Sequence, residues 1–195
     1  MANLIPNLSE TELECGVDEA GCGPAFGPVV AAAVVMPAGW WDGTLDDSKK
    51  LSEKKRVALY DRITREAVAW SVGQVCAADI DRINILQARM LAMRLAVESL
   101  GVRPTHLVVD GDRFHGACGI PHTCVVKGDS KVLSIAAASV VAKVTRDRLI
   151  EQMSGDYWLW GLSRNKGYLT REHIELINKN GLSDQHRRSF CKKFI

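Results

Sequence analysis

The chain has 195 residues, of which 47% are hydrophobic and 25% are charged, and its formal net charge is +2 at pH 7. This composition is typical of one globular domain that can bury a sizeable core. No apolar stretch reaches the ~20 residues that a membrane helix needs, and the N-terminus lacks the basic and apolar blocks of a signal peptide. We therefore expect a cytoplasmic protein without a membrane partner.

The first half of the chain predicts three strands and two helices. ECGVDEAG is a strand that ends near Asp18, and GPVVAAAVVMP is a second apolar strand after a turn rich in glycine and proline. Ser52 is a good N-cap for a helix over about 53–69, and SVGQVCA follows as a third strand. Apolar residues at alternating steps of three and four then predict one helix over about 79–100, which Gly101 ends.

The second half predicts two further strands and two further helices. THLVVDG is a strand that ends on Asp110, and HTCVVKGD is another that ends near Asp129. SKVLSIAAASVVAKVTRDRLIEQM predicts a long helix whose small residues permit close packing. REHIELINKNG predicts a short helix with Thr170 as its N-cap and Gly181 as its end.

The order of these elements predicts an α/β fold, in which a mixed sheet is flanked by helices over residues 1–155. Residues 156–195 are expected to form a basic helical extension of the same compact unit. Residues 164–195 carry eight Lys and Arg against three Asp and Glu, whereas residues 1–163 carry seventeen against twenty. A basic tail on a slightly acidic body indicates an anionic partner, although a solvated helical surface has the same composition.

Four acidic residues lie at the ends of apolar strands. Asp18 and Glu19 are the only charged residues between positions 15 and 41, and Asp110 and Asp129 follow two other strands. Buried carboxylates that converge would repel one another unless cations held them. Mg²⁺ and Mn²⁺ prefer oxygen ligands, and two such ions can promote phosphodiester cleavage. We therefore predict that these four acids bind Mn²⁺ or Mg²⁺.

Several of these segments have other interpretations. An Asp at the end of a strand is also common turn chemistry, which is the alternative for Asp110 or Asp129 taken singly. GCGPAFG is similar to a dinucleotide-binding fingerprint, but its last glycine is one position late and a strand follows it, not a helix. Six cysteines without a CxxC pair indicate reduced thiols, not a zinc site or a disulfide framework. The dispersed histidines give no support to a serine or cysteine hydrolase.

Several polar side chains are candidates for binding a polyanion, although each one alone is more often a solvated charge or a packing residue. The candidates are Lys49, Ser139, Lys143, Arg146, Lys166 and Tyr168. Three of them, on the long helix, fall on one face at steps of four and three. The tyrosine lies in RNKGY, where it could stack on a sugar or a base.

The motifs in their order resemble type 2 ribonuclease H, also called ribonuclease HII. They are GVDEAGCGP, DDSKKLS, LVVDG, VKGDSKVLSIAAASVVAKVTRDRL, NKGYLTREH and HRRSF, which together span nearly the whole chain. The resemblance implies a ribonuclease H-like fold with a small C-terminal helical extension. It also implies endonucleolytic cleavage of the RNA strand of RNA–DNA hybrids with Mn²⁺ or Mg²⁺, leaving 5′-phosphate ends. Duplex DNA with embedded ribonucleotides is a further expected substrate, and we expect a monomer.

The resemblance also implies roles for individual residues. It assigns the metal ions and the catalysis to the same four acids that the strand ends indicate. It places Tyr168 on the ribose beside the cleavage point, and Ser139 and Lys143 near substrate phosphates. The loop Gly21, Cys22 and Gly23 corresponds to the family loop that senses the ribose 2′-hydroxyl at an RNA–DNA junction.

Two positions depart from the family pattern. Cys22 stands where the family has Arg in G-R-G, and Asn165 stands where the family usually has His. The loss of a guanidinium removes a potential partner for a phosphate or an acid. One alternative is therefore a ribonuclease H that cuts only hybrids, with weakened recognition of the junction. A non-catalytic hybrid-binding protein is the second alternative.

Overall fold

A computed structural model describes residues 4–9, 13–115 and 119–194 of the chain. The strands are β1 (Glu14–Ala20), β2 (Val29–Val35), β3 (Ala69–Val75), β4 (His106–Asp110) and β5 (His122–Val125). They form one sheet in the order β3-β2-β1-β4-β5. β1 and β3 are antiparallel to β2, whereas β4 is parallel to both β1 and β5. The predicted α/β fold with a mixed sheet is thus confirmed.

Six α-helices accompany the sheet in the described part of the chain. They are α1 (Glu53–Glu66), α2 (Ala77–Ile83), α3 (Ile85–Glu98), α4 (Leu133–Met153), α5 (Leu162–Asn165) and α6 (Arg171–Asn180). None of these described helices has the length and apolarity to cross a membrane. The predicted N-caps are confirmed, because Ser52 Oγ accepts a hydrogen bond from the N–H of Lys55 and Thr170 Oγ1 accepts one from the N–H of His173.

Helices cover both faces of the sheet. On one face Val17 and Ala33 share a buried cluster with Met93 of α3, and on the other Val34 shares one with Leu59 of α1 and with α4. Every residue of β2 is buried, which is why its sequence VVAAAVV is continuously apolar. At Gly16 a Cβ atom would lie 2.0 Å from the backbone of Ser134, so this glycine lets α4 lie directly against β1.

The single helix predicted over 79–100 is wrong, because the chain breaks at Asn84 into α2 and α3. Asn84 has φ 64°, and its side-chain oxygen accepts hydrogen bonds from the N–H groups of Leu86 and Gln87. With ψ 163° this residue lies outside the helical region, and asparagine is a favoured N-cap. The apolar spacing continued through the break, so periodicity alone gave no sign of it.

The C-terminal segment packs against the loop that joins β1 and β2. The backbone N–H of Arg187 donates to the carbonyl of Ala25 at 2.7 Å, and Phe26 pairs with His186 in an isolated β-bridge. Phe26 also belongs to a buried cluster with Ile177 of α6. The C-terminal segment therefore supports the same loop that carries the glycine-rich motif.

The cysteines described by the structure are free thiols, as expected. They are Cys15, Cys22, Cys76, Cys124 and Cys191. The sixth cysteine, Cys118, lies outside the described residues.

Candidate active site

Three of the predicted acids meet at one edge of the sheet. Val17 of β1 pairs with Val109 of β4 in a parallel register, so the next residues on the two strands, Asp18 and Asp110, are neighbours. One carboxylate oxygen from each of Asp18, Glu19 and Asp110 lies within 4.8 Å of the others. The parallel pairing of β1 with β4 is therefore what brings acids together from positions 92 residues apart.

Burial makes this cluster costly to charge. Asp18 is only 3% exposed, and burial, followed by the charges of Glu19 and Asp110, raises its pKa well above the ordinary value. Burial also raises the pKa of Glu19, against the opposing charge of Arg89. Within the described residues, Glu19 Oε2 is buried and has no hydrogen-bond partner. A hard divalent cation fits this arrangement, since it would neutralise the acids and take the unpaired oxygen as a ligand.

Asp129 borders the cluster without joining it. It lies in a 3₁₀ turn four residues after the end of β5, and its Oδ2 is 3.6 Å from Lys49 Nζ. The N–H of Gly128 donates a hydrogen bond of 2.7 Å to Asp110 Oδ1, which fixes the turn beside the cluster. Burial, then the charges of Asp47 and Asp110, raise the pKa of Asp129. The strand that the sequence predicted to end near Asp129 ends at Val125 instead. Asp129 nevertheless lies beside the cluster of acids.

The glycine-rich loop forms a second part of the site. Gly21, Cys22 and Gly23 line a cavity of about 220 Å³ that Lys143 and Tyr168 also line. Gly21 has φ +95°, and a Cβ atom there would lie 2.2 Å from Arg146 Nε, so both its backbone and its packing require glycine. A Cβ atom at Gly23 would lie 3.5 Å from the ring of Tyr168. The loop therefore presents bare backbone beside an aromatic ring.

Tyr168 and Lys49 are the accessible polar residues of this region. The tyrosine is 46% exposed, and the Lys49 side chain is 77% exposed and lines the cavity with Glu19. Lys143 lines the same cavity and pairs with Asp147 at 2.7 Å. These positions are open to a large ligand that lies across the carboxylates.

Ser139 and Arg146 are placed differently from what the helix-face pattern suggests. Both are buried, Ser139 at 3% and Arg146 at 1% exposure. Ser139 Oγ lies 2.8 Å from Ser48 Oγ in the DDSKKLS segment. Arg146 donates to the carbonyl oxygens of Phe26 at 3.1 Å and Lys166 at 3.3 Å. The expectation that Arg146 faces a polyanion is corrected accordingly, because its guanidinium holds two loops from beneath.

Lys166 also contacts other parts of the protein. Its backbone is left-handed with φ 49°, its carbonyl accepts from Arg146, and its Nζ lies 3.9 Å from a carboxylate oxygen of Glu151. Next to it, Asn165 is buried and its side-chain oxygen accepts from the N–H of Gly167 at 2.8 Å. Asn165 thereby shapes the turn that presents the tyrosine.

Sequence reasoning missed two arginines. Arg89 of α3 has its Nη1 3.5 Å from Glu19 Oε1, and nothing in the helix sequence marks it as a site residue. Arg187 is fully buried and donates to the carbonyls of Gly27 at 2.9 Å and Cys22 at 3.3 Å. Arg187 lies in the motif HRRSF, but the motif alone gives no sign that this side chain contacts the loop between β1 and β2.

Comparison with known proteins gives concordant matches over nearly the whole chain. A family model described as Ribonuclease HII matches residues 15–193. The chain is 49% identical over 187 residues to ribonuclease HII of Parabacteroides distasonis, covering 96% of this chain and 94% of the relative. It is 52% identical over 180 residues to ribonuclease HII of Chlorobaculum tepidum, covering 90% and 88%. The crystal structure of ribonuclease H2 from Pyrococcus horikoshii OT3 superimposes with a TM-score of 0.74 at 27% identity, covering 93% and 96%.

Proposed function

Since the chain belongs to the ribonuclease HII family, it is a nuclease of the ribonuclease H class, and we propose that it cleaves the RNA strand of RNA–DNA hybrids and nicks duplex DNA 5′ of single embedded ribonucleotides. The observation that carries this proposal is the meeting of Asp18, Glu19 and Asp110 within 4.8 Å at the edge of the sheet. Such a cluster suits metal-dependent hydrolysis of a phosphodiester.

The resident cofactor we propose is Mn²⁺ or Mg²⁺, held by Asp18, Glu19 and Asp110 with Asp129 at the border of the site. When bound, two such cations would activate the attacking water and stabilise the leaving 3′-oxygen. The unpaired buried Glu19 Oε2 supports this assignment, because carboxylate oxygen is the ligand that these cations prefer. The protein itself contributes the fixed spacing of the acids, which the β1–β4 register sets.

The substrate duplex is proposed to lie across the glycine loop and the tyrosine. The backbone of Gly21 and Gly23 can approach a ribose closely, and the exposed ring of Tyr168 can stack on the sugar beside the cleaved bond. Lys49 and Lys143 supply positive charge for phosphates at the mouth of the same cavity. Ser139 and Arg146 support these groups from the interior and are assigned no contact with substrate.

A narrower specificity is the second candidate, and Cys22 is the observation that favours it. The thiol donates to Glu19 Oε1 at 3.4 Å, and it occupies the loop position where the family pattern has arginine. The loop therefore offers no guanidinium to a phosphate at the junction. A protein with this loop could cut uniform hybrids and leave single ribonucleotides untouched.

A cleavage assay on two labelled duplexes tests both candidates. One duplex is a uniform RNA–DNA hybrid and the other is duplex DNA with one embedded ribonucleotide, each incubated with Mn²⁺, with Mg²⁺ or with EDTA. The proposal predicts cleavage of both duplexes with metal only, with the nick on the 5′ side of the ribonucleotide. Cleavage of the hybrid alone would select the narrower specificity. Failure to cut either duplex with either metal would contradict both candidates.

A further inference from the structure

One oxygen of the carboxylate cluster has two partners from different parts of the chain. Glu19 Oε1 accepts from Cys22 Sγ at 3.4 Å and from Arg89 Nη1 at 3.5 Å. The other oxygen, Oε2, is buried and has no hydrogen-bond partner in the described part of the chain. The carboxylate of Glu19 is thus held on one side and left unpaired on the other.

Arg89 reaches this carboxylate from the helix that covers one face of the sheet. Its side chain is 20% exposed and that of Glu19 is 12% exposed, so water screens the pair only partly. Its Nη2 lies 3.8 Å from the position of a Cβ atom at Gly111, directly after β4. The guanidinium therefore lies between the end of β1 and the end of β4, next to the cluster of acids.

The loop thiol cannot supply the charge that Glu19 requires. A cysteine side chain is neutral as the thiol and anionic as the thiolate, so Cys22 supplies no positive charge to Glu19 in either form. Among the described residues, Arg89 is the cation within ion-pair distance of Glu19. The position that carries arginine in the family's loop is neutral here, and a guanidinium arrives at the same carboxylate from α3.

We propose that Arg89 is a positioning residue for Glu19, whose guanidinium holds Oε1 so that Oε2 is presented to the divalent cation. From α3, Arg89 thereby supplies the positive charge beside Glu19 that the neutral G-C-G loop does not supply. Mutation of a residue that orients a metal-ligating side chain typically costs about 10–100-fold in metal affinity. The inference rests on the proposed function only in taking the acidic cluster as a metal site.

The substitution Arg89→Met tests this role through metal binding measured by calorimetry, without any nucleic acid. The substitution could either tighten or weaken Mn²⁺ binding, so the direction of the change in affinity distinguishes the two roles. If Arg89 only repelled the cation, its removal would tighten Mn²⁺ binding, because the site would become more negative. If Arg89 orients Glu19, its removal weakens Mn²⁺ binding, and we expect a loss of about tenfold or more.

Two further variants and an unfolding measurement separate positioning from folding. Arg94→Met removes an arginine from the same helix that pairs with Glu98 at 3.7 Å and does not line the site, and it should leave Mn²⁺ affinity unchanged. Arg89→Lys keeps a cation and should retain more affinity than Arg89→Met. Thermal unfolding in EDTA shows whether each variant is folded before metal is added.

The double variant Cys22→Arg with Arg89→Met tests whether the two positions are alternative sources of one guanidinium. We expect the loop arginine to restore the affinity lost in Arg89→Met to within about threefold of the original protein. In the original background Cys22→Arg should give no gain, since two cations would then compete for one oxygen. Unchanged or tighter Mn²⁺ binding in folded Arg89→Met would overturn the inference, and so would equal effects of Cys22→Arg in both backgrounds.

The same preparations separate this inference from the proposed function. If the unmodified protein binds Mn²⁺ and the variants behave as expected, but no hybrid is cut, the proposed function fails and the positioning role stands. If hybrids are cut and Arg89→Met retains full Mn²⁺ affinity, the positioning role fails and the function stands.

Discussion

Arg187 donates a hydrogen bond of 2.9 Å from its Nε to the carbonyl oxygen of Gly27, across 160 residues of sequence. Its Nη1 also donates to the carbonyl of Cys22, and the whole side chain is buried. Burial, then the nearby charge of Arg146, lower the pKa of Arg187 to about 10, so the guanidinium remains charged at pH 7. A single buried cation from the C-terminal segment thus holds both ends of the loop that joins β1 and β2.

The substitution Arg187→Met should destabilise the protein strongly, because it leaves the buried carbonyl of Gly27 and the partly buried carbonyl of Cys22 without this donor. At about 1–3 kcal/mol for each unsatisfied group, we expect the free energy of unfolding to fall by about 2–6 kcal/mol. Urea unfolding followed by circular dichroism measures this change. Arg188→Met is the matched control, since Arg188 is the next residue and is exposed. Equal stability of the two variants would contradict the role assigned to Arg187.

Tyr168 should contribute to cleavage through its ring and not through its hydroxyl. Stacking on a base or sugar is worth about 1–3 kcal/mol, so Tyr168→Ala should lower kcat/KM by about fivefold to 150-fold. Tyr168→Phe keeps the ring and should stay within about twofold of the original value. Steady-state kinetics on the embedded-ribonucleotide duplex makes the comparison. Trp158→Ala, which removes a 71% exposed aromatic residue outside the cavity, controls for a general loss of exposed aromatic surface.

Two buried histidines connect the C-terminal segment to the tyrosine. His173 Nδ1 lies 2.9 Å from the carbonyl oxygen of Tyr168, so it must donate, and its Nε2 then accepts from His186 Nε2 at 3.2 Å. His186 Nδ1 in turn accepts from the N–H and hydroxyl of Ser183. Both rings must be neutral for this chain of bonds, and burial lowers the pKa of each, that of His186 to about 4.

This arrangement predicts a loss of stability in mild acid. An unfolded histidine has a pKa of about 6.5. Between pH 6.5 and 4, His186 is protonated in the unfolded chain but stays neutral in the folded protein. The free energy of unfolding therefore falls as pH decreases through this window. The slope from this one group is at most about 1.4 kcal/mol per pH unit.

Urea unfolding in EDTA at several pH values checks this prediction. The raised pKa values of Asp18 and Glu19 act in the opposite direction, so the difference between variants is the informative quantity. His186→Gln keeps polar atoms but does not titrate, and its stability should fall less between pH 6.5 and 4. His115→Gln, at an exposed position, should follow the original protein. The prediction fails if His186→Gln has the same pH slope as the original protein.

The sequence predicted the ends of β1 and β4 well because they follow from local pattern. Apolar runs followed by an acid located Asp18 and Asp110, and the parallel register of β1 and β4 then made them neighbours. Ser52 and Thr170 were recognisable as helix caps because capping depends on a few adjacent residues. The proposed chemical roles of the acids remain predictions for experiment.

What the sequence could not give depends on contacts between distant segments. Arg146 shares a helix face with Lys143, but the loops packed over α4 bury one and leave the other at the cavity. Arg89 lies 70 residues from Glu19, and its approach depends on how α3 packs on the sheet. The apolar spacing did not reveal the break at Asn84, because spacing shows only which side of a helix is buried. The break depends on the backbone geometry and side-chain cap at Asn84 itself.

The most direct test of the central claim compares Asp110→Asn with Asp112→Asn. Asn keeps the oxygen that accepts from Gly128 but removes the charge from the cluster, whereas Asp112 is exposed and pairs with Arg113 at 3.5 Å. Since bound cations supply several kcal/mol of transition-state stabilisation, Asp110→Asn should slow Mn²⁺-dependent cleavage of a uniform hybrid by at least about 100-fold. Asp112→Asn should cut at the original rate. Full activity in folded Asp110→Asn would contradict the assignment of this cluster as the metal-binding active site.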